Sequence, residues 1–274
     1  MNKYFQPRNY IRKAKELFIR FHIKHNKNFV LSSHALHHEI LFYVDSMREY
    51  ESRVLSSYSE EPSTVEWIDK FVSPNDTVFD VGANVGAYTL LLAKKIQEAG
   101  GKGIVYSFEP ESGNFYKLNK NIKLNKLSSH AFPICMAIGN RRGIDAFFLS
   151  STEIGSACHG LYAPKSEGKT FKAKHKQGVV AHSLDSLTNL EEMPFPNHIK
   201  IDVDGMEKQI IENGSQTLAN PLLQSVIIEI NDSLSLGKIE KKIMSFGFKE
   251  MKKDVWRDKN NAQIKNVLFA RRSP

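Results

Sequence analysis

The sequence contains little cysteine and no long apolar run. Its 274 residues include two cysteines, Cys135 and Cys158, and no C-x-x-C pair, which excludes a disulfide framework. This cysteine usage favours a reducing compartment. No apolar stretch approaches the roughly 18 residues of a membrane-spanning helix, and the first residues lack the apolar core of a signal peptide. We therefore expect a cytoplasmic protein without a transmembrane segment.

Two common phosphate-binding motifs are also missing. The glycine-rich turn within Thr77–Gly86, TVFDVGANVG, is neither the G-x-G-x-x-G of dinucleotide enzymes nor the G-x-x-x-x-G-K-[ST] of a P-loop. No lysine follows this turn to contact a phosphate. The sequence therefore argues for a ligand without a pyrophosphate.

The same ten residues predict the first half of a nucleotide-binding βα unit. They begin with TVF, the composition of a short buried strand, and Asp80 ends this strand. The turn then leads into an apolar helix over residues 87–96. Gly82 and Gly86 supply backbone freedom and let a ligand approach closely. The free N–H groups at the helix N-terminus would face polar or anionic parts of that ligand.

A second strand strengthens this interpretation, because the turn alone could be an ordinary glycine-rich connection without a ligand. The segment GIVYSF ends in Glu109, about 20 residues after the glycine turn. An acid at this position is placed to accept hydrogen bonds from two ribose hydroxyls. The pair of features predicts a nucleoside-containing ligand.

Strands alternate with helices along most of the chain, which predicts a parallel sheet with helices on both faces. We predict a third strand at residues 131–138, a fourth at 197–203 and a fifth at 224–230, and an antiparallel hairpin at 248–254 and 265–271. Hydrophobic residues make up 41% of the chain, which is ample for one large domain.

Five blocks of the sequence resemble, in order and spacing, the FkbM-type S-adenosylmethionine-dependent methyltransferases. The blocks are DVGANVG, YSFEPESGNFYKLNKNIKLN, MAIGN, HIKIDVDGMEKQIIENG and IIEI, and the resemblance covers roughly residues 64–231. It implies a class I methyltransferase Rossmann-like α/β fold with a mostly parallel seven-stranded sheet, and S-adenosylmethionine as cofactor. The family usually reads KIDVEG, so Asp204 of this chain replaces a glutamate.

The resemblance and the βα unit imply the same contacts with the methyl donor. The glycine turn would approach the amino-acid part of the donor, with Asp80 holding its ammonium through water, and Glu109 would hold the ribose. Ala137, at a strand end, would border the adenine, although plain core packing is an equal alternative. The predicted donor-binding residues are Asp80, Gly82, Ala83, Asn84, Gly86, Glu109 and Ala137.

Three acids, Asp202, Asp204 and Glu229, are the predicted catalytic residues because the ligand crevice of an open α/β sheet lies at the strand ends. Strand alternation predicts that the two aspartates share one side. Either aspartate could act as general base toward an acceptor hydroxyl. Alternatively, Asp202 with Asp204, Glu229 or Asp232 could hold a divalent metal. A structural alternative is that Asp202 only orients Lys200 or caps the following helix.

The net charge of +8 is concentrated near the N-terminus, where residues 1–30 hold eight lysines and arginines against Glu16 alone. We divide the chain into a basic helical extension, residues 1–60, and a methyltransferase domain, residues 61–274, with helices and loops predicted for 32–60. The arm could contact lipid headgroups, an acidic glycan or nucleic acid. We favour an amphipathic helix that packs its aromatic face on the protein.

The predicted activity is O-methylation of a hydroxyl on a sugar, glycan or secondary metabolite. The irregular segment 141–180, with a basic run at 165–176, would lie where the acceptor enters, and Ser156 and His159 are candidate contacts. One alternative is a nucleic-acid methyltransferase or binder, although IDVDG is not the Asn/Asp-Pro-Pro-Tyr/Phe typical of base amino-group methylation. A non-catalytic binding module is a second alternative.

Overall fold

The computed structural model describes residues 7–26, 28–190, 193–257 and 261–272, and the side chains of residues 7–15 are outside this description. The strands are β1 (Val30–Ala35), β2 (His38–Tyr43), β3 (Thr77–Val81), β4 (Ile104–Phe108), β5 (Ala131–Ile134), β6 (Ala137–Gly139), β7 (Gly143–Leu149), β8 (Gly160–Leu161), β9 (Lys165–Ser166), β10 (Lys169–Thr170), β11 (His175–Ser183), β12 (His198–Ile201), β13 (Ser225–Asn231), β14 (Lys249–Arg257) and β15 (Gln263–Ala270).

Helices connect most of these strands, and a π-helical turn at Tyr50–Leu55 follows the second helix. The helices are α1 (Pro7–His25), α2 (Met47–Glu49), α3 (Ser57–Glu60), α4 (Pro62–Lys70), α5 (Ala87–Glu98), α6 (Ser112–Leu124), α7 (Leu184–Thr188), α8 (Glu207–Glu212), α9 (Ser215–Ala219), α10 (Asp232–Ser235) and α11 (Lys238–Met244). Within the described ranges, no helix combines the length and the apolar character that crossing a bilayer would require.

The main sheet has seven strands in the order β14-β15-β13-β12-β3-β4-β5. The five strands from β13 to β5 run parallel, whereas β15 pairs antiparallel with both β13 and β14. The predicted α/β architecture is therefore confirmed, and the sheet is a mixed one. The carboxyl ends of parallel strands lie at one edge of the sheet. The residues that follow β3, β4, β12 and β13 therefore lie close together at that edge.

Side-chain alternation along the strands separates two hydrophobic clusters on the two faces of the sheet. Val78 and Ile227 belong to one cluster, while their neighbours Phe79, Val226 and Ile228 belong to the other. Helices α5 and α6 contribute to the first cluster, and α8 and α11 contribute to the second. Both faces of the parallel strands are buried, which accounts for their nearly continuous apolar sequences.

The segment before the sheet differs from the prediction of helices and loops over residues 32–60. Strands β1 and β2 form an antiparallel hairpin, and only the residues after it are helical. The side-chain amide of Asn125 exchanges hydrogen bonds of 2.7 and 2.9 Å with the backbone of Leu41, which ties β2 to the end of helix α6. The helical prediction missed this hairpin because strand pairing across a two-residue turn outweighs weak local propensity.

Helix α1 packs on the protein through a different face from the one predicted. Ile19 is 1% exposed, whereas the aromatic side chains of Phe18 and Phe21 are 58% and 60% exposed. The favoured prediction that the aromatic face packs inward is therefore wrong for these two residues. The basic residues Arg20 and Lys24 are exposed, whereas the basic and aromatic residues at positions 3–15 and 27 lie outside the described side chains. The division at residue 60 stays a prediction.

A smaller four-stranded sheet, in the order β6-β11-β7-β8, accounts for much of the predicted irregular segment 141–180. The predicted third strand, residues 131–138, splits in two. Its first part is β5 of the main sheet, and its last residues begin β6, which pairs with β11 of the smaller sheet. Residues of this smaller sheet, including Ala137 and Phe147, form part of the wall of the cavity described below.

Candidate active site

The glycine turn between β3 and α5 is locked to its neighbouring strands. The N–H groups of Gly82 and Ala83 both donate to the carbonyl oxygen of Phe108, at 3.0 and 3.1 Å. Gly82 has φ +87°, and a Cβ placed on it would lie 1.8 Å from the carbonyl oxygen of Asp202. The turn therefore needs glycine at this position, both for its left-handed backbone and for the close contact with the end of β12.

Glu109 closes the turn from the end of β4. Its side chain is 5% exposed, and its two carboxyl oxygens accept hydrogen bonds from the N–H groups of Asn84 and Glu111, each at 2.8 Å. Burial raises the pKa of Glu109 to about 7, against the lowering effect of these two backbone hydrogen bonds. The predicted ribose acid thus lies directly beside the glycine turn.

A cavity of about 220 Å³ opens at the carboxyl edge of the parallel strands and is lined by residues from both sheets. Its wall includes four of the seven predicted donor-binding residues and all three predicted catalytic acids. These seven lining residues are Gly82, Asn84, Glu109, Ala137, Asp202, Asp204 and Glu229.

The remaining donor-binding predictions, Asp80, Ala83 and Gly86, do not line this cavity. The Asp80 carboxylate is buried inside β3 and accepts a hydrogen bond from Thr89 Oγ1 at 2.6 Å. Burial raises its pKa, although the positive charge of Lys200 opposes the shift. The Asp80 side chain lies on the side of the sheet that faces helix α5, so it does not line the cavity, and a contact with the donor's ammonium through water stays a prediction.

One end of the cavity is apolar, as adenine binding would require. Phe108, Met136, Ala137, Phe147 and Leu161 line the cavity. Ala137 belongs to β6 and is also packed in the small hydrophobic cluster of the second sheet. Its two predicted roles, bordering the cavity and packing in a core, therefore coincide.

Asp202, which lines the cavity, forms an ion pair with the buried Lys200 behind the cavity wall. Lys200 is 3% exposed, and its Nζ lies 2.7 Å from Asp202 Oδ2. Burial alone would lower the pKa of Lys200, but the negative charges of Asp202, Glu61 and Asp80 raise it above its ordinary value. Asp202 therefore does orient Lys200, as the structural alternative proposed, while it also lines the cavity.

Asp204 is held by hydrogen bonds from residues of the segment 141–180, which was predicted to be irregular. Its Oδ2 accepts a hydrogen bond of 2.7 Å from the N–H of Cys158, and its carbonyl oxygen accepts one of 3.0 Å from the N–H of Glu167. Burial raises the pKa of Asp204, and the negative charge of Asp202 adds to this shift. Strand β12 ends at Ile201 and Asp204 has φ +57°, so strand alternation does not set its direction.

Glu229, on β13, faces the two aspartates. Burial raises the pKa of Glu229 well above its ordinary value, and the negative charges of Asp202, Asp204, Glu61 and Glu207 raise it further. Glu61 was not predicted from the sequence, although it lines the same cavity. No signal marked it, because Glu61 precedes α4 in a segment without a recognisable motif.

Ser156 and His159 both line the cavity, and their predicted contact with the acceptor stays a prediction. The carbonyl oxygen of Ser156 accepts hydrogen bonds from the side-chain amides of Asn84 and Asn114, at 3.0 and 3.1 Å. His159 Nδ1 accepts a hydrogen bond from the N–H of Ser150 at 3.2 Å, and burial lowers the pKa of His159.

The predicted metal ligands fall into two groups. Asp232 is 2.5 Å from Lys265 Nζ and does not line the cavity, which separates it from the other acids. Carboxyl oxygens of Asp204, Glu229 and Glu167, the last not predicted from the sequence, lie within 4.8 Å of one another. These three acids are close enough to share a cation, whereas Asp232 and Asp202, the ligand common to every predicted set, are not part of the group.

A comparison with protein families identifies the chain. Residues 80–251 match the model of the Methyltransferase FkbM domain, and this match spans the glycine turn, Glu109 and all three predicted catalytic acids. The chain belongs to the FkbM methyltransferase family. The family resemblance inferred from the five sequence blocks is therefore confirmed.

One curated relative of this FkbM-family chain is the hexuronic acid methyltransferase AglP of Haloferax volcanii. The two are 25% identical over 157 residues, which cover 57% of this chain and 56% of AglP. The chain thus spans a little over half the length of this relative.

Two solved structures resemble the FkbM-family chain at low identity. The methyltransferase FkbM of Methylobacillus flagellatus KT has a TM-score of 0.46 and 14% identity, and the match covers 72% of this chain and 44% of that one. TYW2 of M. jannaschii, in complex with AdoMet, has a TM-score of 0.44 and 13% identity, with 90% and 89% covered. At these TM-scores neither likeness bears on the site.

Proposed function

We propose that the protein is an S-adenosylmethionine-dependent O-methyltransferase that acts on a hydroxyl of a sugar, glycan or secondary metabolite. One observation carries this proposal. A single cavity brings Gly82, Asn84 and Glu109 of the predicted donor site together with the carboxyl groups of Asp202, Asp204 and Glu229. Methyl transfer to a hydroxyl needs this combination, because donor and proton acceptor must meet at one reacting oxygen.

The donor's chemistry suits the charges of the cavity. S-adenosylmethionine carries a sulfonium and an ammonium but no phosphate, and the cavity wall is rich in carboxyl groups: Glu61, Asp202, Asp204 and Glu229. Glu109 supplies the acceptor for ribose hydroxyls, and the apolar end receives the adenine. S-adenosylmethionine supplies the methyl group, and the residues of the chain orient it and exclude water.

We assign the general base to Glu229 rather than to either aspartate. Asp202 is paired with Lys200, and Asp204 accepts the N–H of Cys158. Glu229 makes no side-chain hydrogen bond to the described residues, and the neighbouring negative charges raise its pKa. In its ionised form, a carboxylate with a raised pKa is a stronger base toward a hydroxyl proton, and the positive charge of a bound sulfonium would favour that form.

A divalent metal at Glu167, Asp204 and Glu229 is the alternative way to activate the hydroxyl. Two of the three candidate ligands already have hydrogen-bond donors, since Asn231 Nδ2 donates to Glu167 and Cys158 donates to Asp204. A hard cation would have to compete with both donors. We therefore propose base catalysis by the protein and treat the metal as an outcome to be tested.

The relative AglP supports a sugar as the acceptor, since that protein is a hexuronic acid methyltransferase. The support is limited to the shared half of each chain. The nucleic-acid alternative depends on the N-terminal arm, most of whose side chains lie outside the described residues, so it stays a prediction. A cytoplasmic location and a weak contact of the arm with membrane surfaces stay predictions as well.

The first experiment is calorimetric titration of the protein with S-adenosylmethionine. We expect micromolar binding to the wild type, and binding at least tenfold weaker, about 1.4 kcal/mol, in Glu109→Ala. Circular dichroism of the variant checks that it is folded. The absence of binding to the folded wild type would remove the methyltransferase proposal.

Acceptor screening decides between the base and the metal. Uronic acids, neutral sugars and their glycosides are tested with labelled donor, with and without a chelator. Turnover that survives chelation and is lost in Glu229→Gln supports the protein base. Turnover that is lost on chelation and restored by a divalent ion would support the metal instead.

A further inference from the structure

Arg53 places a guanidinium group in the wall of the acidic cavity. It comes from the π-helical turn at Tyr50–Leu55, which the sequence did not mark as functional. Its Nε is buried and has no hydrogen-bond partner, and its Nη2 reaches only the carbonyl oxygen of Gly155, at 3.4 Å. The positive charge of Arg53 already opposes the raised pKa of Asp204 across the cavity. A buried donor without a hydrogen-bond partner is costly, so the guanidinium keeps unused hydrogen-bonding capacity for an anion.

The position of Arg53 in the cavity follows from two neighbouring carbonyl groups. Arg53 donates to Gly155, and Asn84 of the glycine turn donates to Ser156 at 3.0 Å. Because Gly155 and Ser156 are consecutive, Arg53 and Asn84 donate to two successive peptide groups of one short segment. Arg53 therefore lies at the glycine-turn end of the cavity, where the amino-acid part of the methyl donor is expected.

We infer that Arg53 binds the α-carboxylate of S-adenosylmethionine, an inference that rests on the proposed function. The acids of the cavity suit the donor's two cationic groups but repel its carboxylate. Among the described residues that line the cavity, Arg53 is the only arginine or lysine. A planar guanidinium can donate two parallel hydrogen bonds to a carboxylate. In Arg53, Nε has no hydrogen-bond partner and Nη2 makes only one long hydrogen bond, so both nitrogens can take part.

The test compares two donors that differ only in this carboxylate. S-adenosylmethionine and decarboxylated S-adenosylmethionine are each titrated into the wild type, Arg53→Gln and Arg48→Gln. Arg48 is the matched control, because it lies nearby, pairs with Glu153 at 3.5 Å and does not line the cavity. 5′-Methylthioadenosine, which lacks the amino-acid part, reports on the nucleoside end of the site.

We expect the wild type and Arg48→Gln to bind S-adenosylmethionine at least tenfold more tightly than its decarboxylated form. Arg53→Gln should bind both donors with similar, weak affinity while it binds 5′-methylthioadenosine like the wild type. Arg53→Lys, which keeps the charge but loses the planar fork, should restore part of the preference.

Two outcomes would overturn the inference while the proposed function stands. In one, Arg53→Gln keeps the full preference for the carboxylated donor. In the other, the variant binds both donors like the wild type but shows a raised KM for an acidic acceptor, which would assign the guanidinium to the acceptor's carboxylate. If the folded wild type binds neither donor, the proposed function fails together with the inference.

Discussion

The carboxyl group of Glu109 titrates in the range where the protein is expected to work. Burial raises its pKa to about 7, and its two oxygens already accept backbone hydrogen bonds. Ribose hydroxyls would donate to the ionised form, so donor binding should favour loss of the proton. The donor's affinity is therefore expected to depend on pH.

We predict that the dissociation constant for S-adenosylmethionine rises about tenfold as pH falls from 8 to 6, because only the ionised fraction of Glu109 accepts both hydroxyls. The dissociation constant rises at low pH because the raised pKa of Glu109 lies between pH 6 and 8. The free protein takes up a proton on Glu109 as the pH falls through this range, whereas the donor-bound form does not. Calorimetric titrations at pH 6, 7 and 8 measure the effect. Glu109→Gln should give weaker and nearly pH-independent binding, and a wild-type affinity that is flat over this range would contradict the prediction.

Single residues were predictable where spacing alone fixes their place. Glu109 follows β4 at the expected distance from the glycine turn, and the strand ends placed Asp202 and Glu229 at the same edge. Asp80 was predicted to end β3, whereas β3 continues to Val81 and the Asp80 carboxylate is buried against Thr89 of helix α5. Arg53 and Glu61 reach the cavity only through the tertiary packing of segments without a motif.

Gly82 links the glycine turn to the end of β12, so a side chain there should disturb two elements together. A Cβ on Gly82 would lie 1.8 Å from the carbonyl oxygen of Asp202, and its φ of +87° is already unfavourable for other residues. We predict that Gly82→Ala lowers stability by more than the roughly 1 kcal/mol of the left-handed backbone alone and abolishes donor binding. Thermal unfolding and donor titration are the measurements.

Gly100 provides a matched control for this prediction. It also has a left-handed φ, +67°, but a Cβ on it would meet nothing within 4 Å, and it lies at the far end of α5. Gly100→Ala should therefore show the backbone cost without the clash and should bind the donor normally. Equal effects of the two substitutions on stability and binding would show that the contact with Asp202 is unimportant.

The strands and helices of the parallel core were predictable because their sequence patterns are local. Apolar strands, the glycine turn and α5 carry their own signals, and the structure confirms these elements. The hairpin of β1 and β2 and the smaller sheet were not predicted as such. The β1–β2 pairing depends on a turn without a clear turn motif, and in the smaller sheet β6 pairs with β11 about 40 residues later in the chain, which local periodicity does not reveal.

The N-terminal part of the chain completes one face of the molecule. Seven buried apolar residues between Ile19 and Val54 belong to the same hydrophobic cluster as helices α5 and α6. The other face is covered by α7, α8, α9 and α11, which come from the C-terminal half. The arginine proposed to bind the donor lies in this N-terminal part, so its docking affects the cavity as well as stability.

A buried ion-pair cluster connects the N-terminal part to helix α6. Lys117 is fully buried, pairs with Asp45, lies 3.4 Å from Glu49 and can also donate to the carbonyl oxygen of Tyr43. Glu49 is 2% exposed, and burial raises its pKa although Lys117 opposes this shift. Without Lys117, the carboxylates of Asp45 and Glu49 would remain close together, and the carboxylate of Glu49 would be buried without a cation.

We predict that Lys117→Met destabilises the protein by about 3–5 kcal/mol, because removing one partner leaves an uncompensated buried charge. This corresponds to a fall in Tm of roughly 6–20 °C for a chain of this size. Lys123→Met, on the exposed side of the same helix, should leave Tm nearly unchanged. The double variant Lys117→Met with Glu49→Met should recover part of the loss, since it also removes the enclosed carboxylate. Similar Tm values for the two lysine variants would mean that the cluster does not hold the N-terminal part in place.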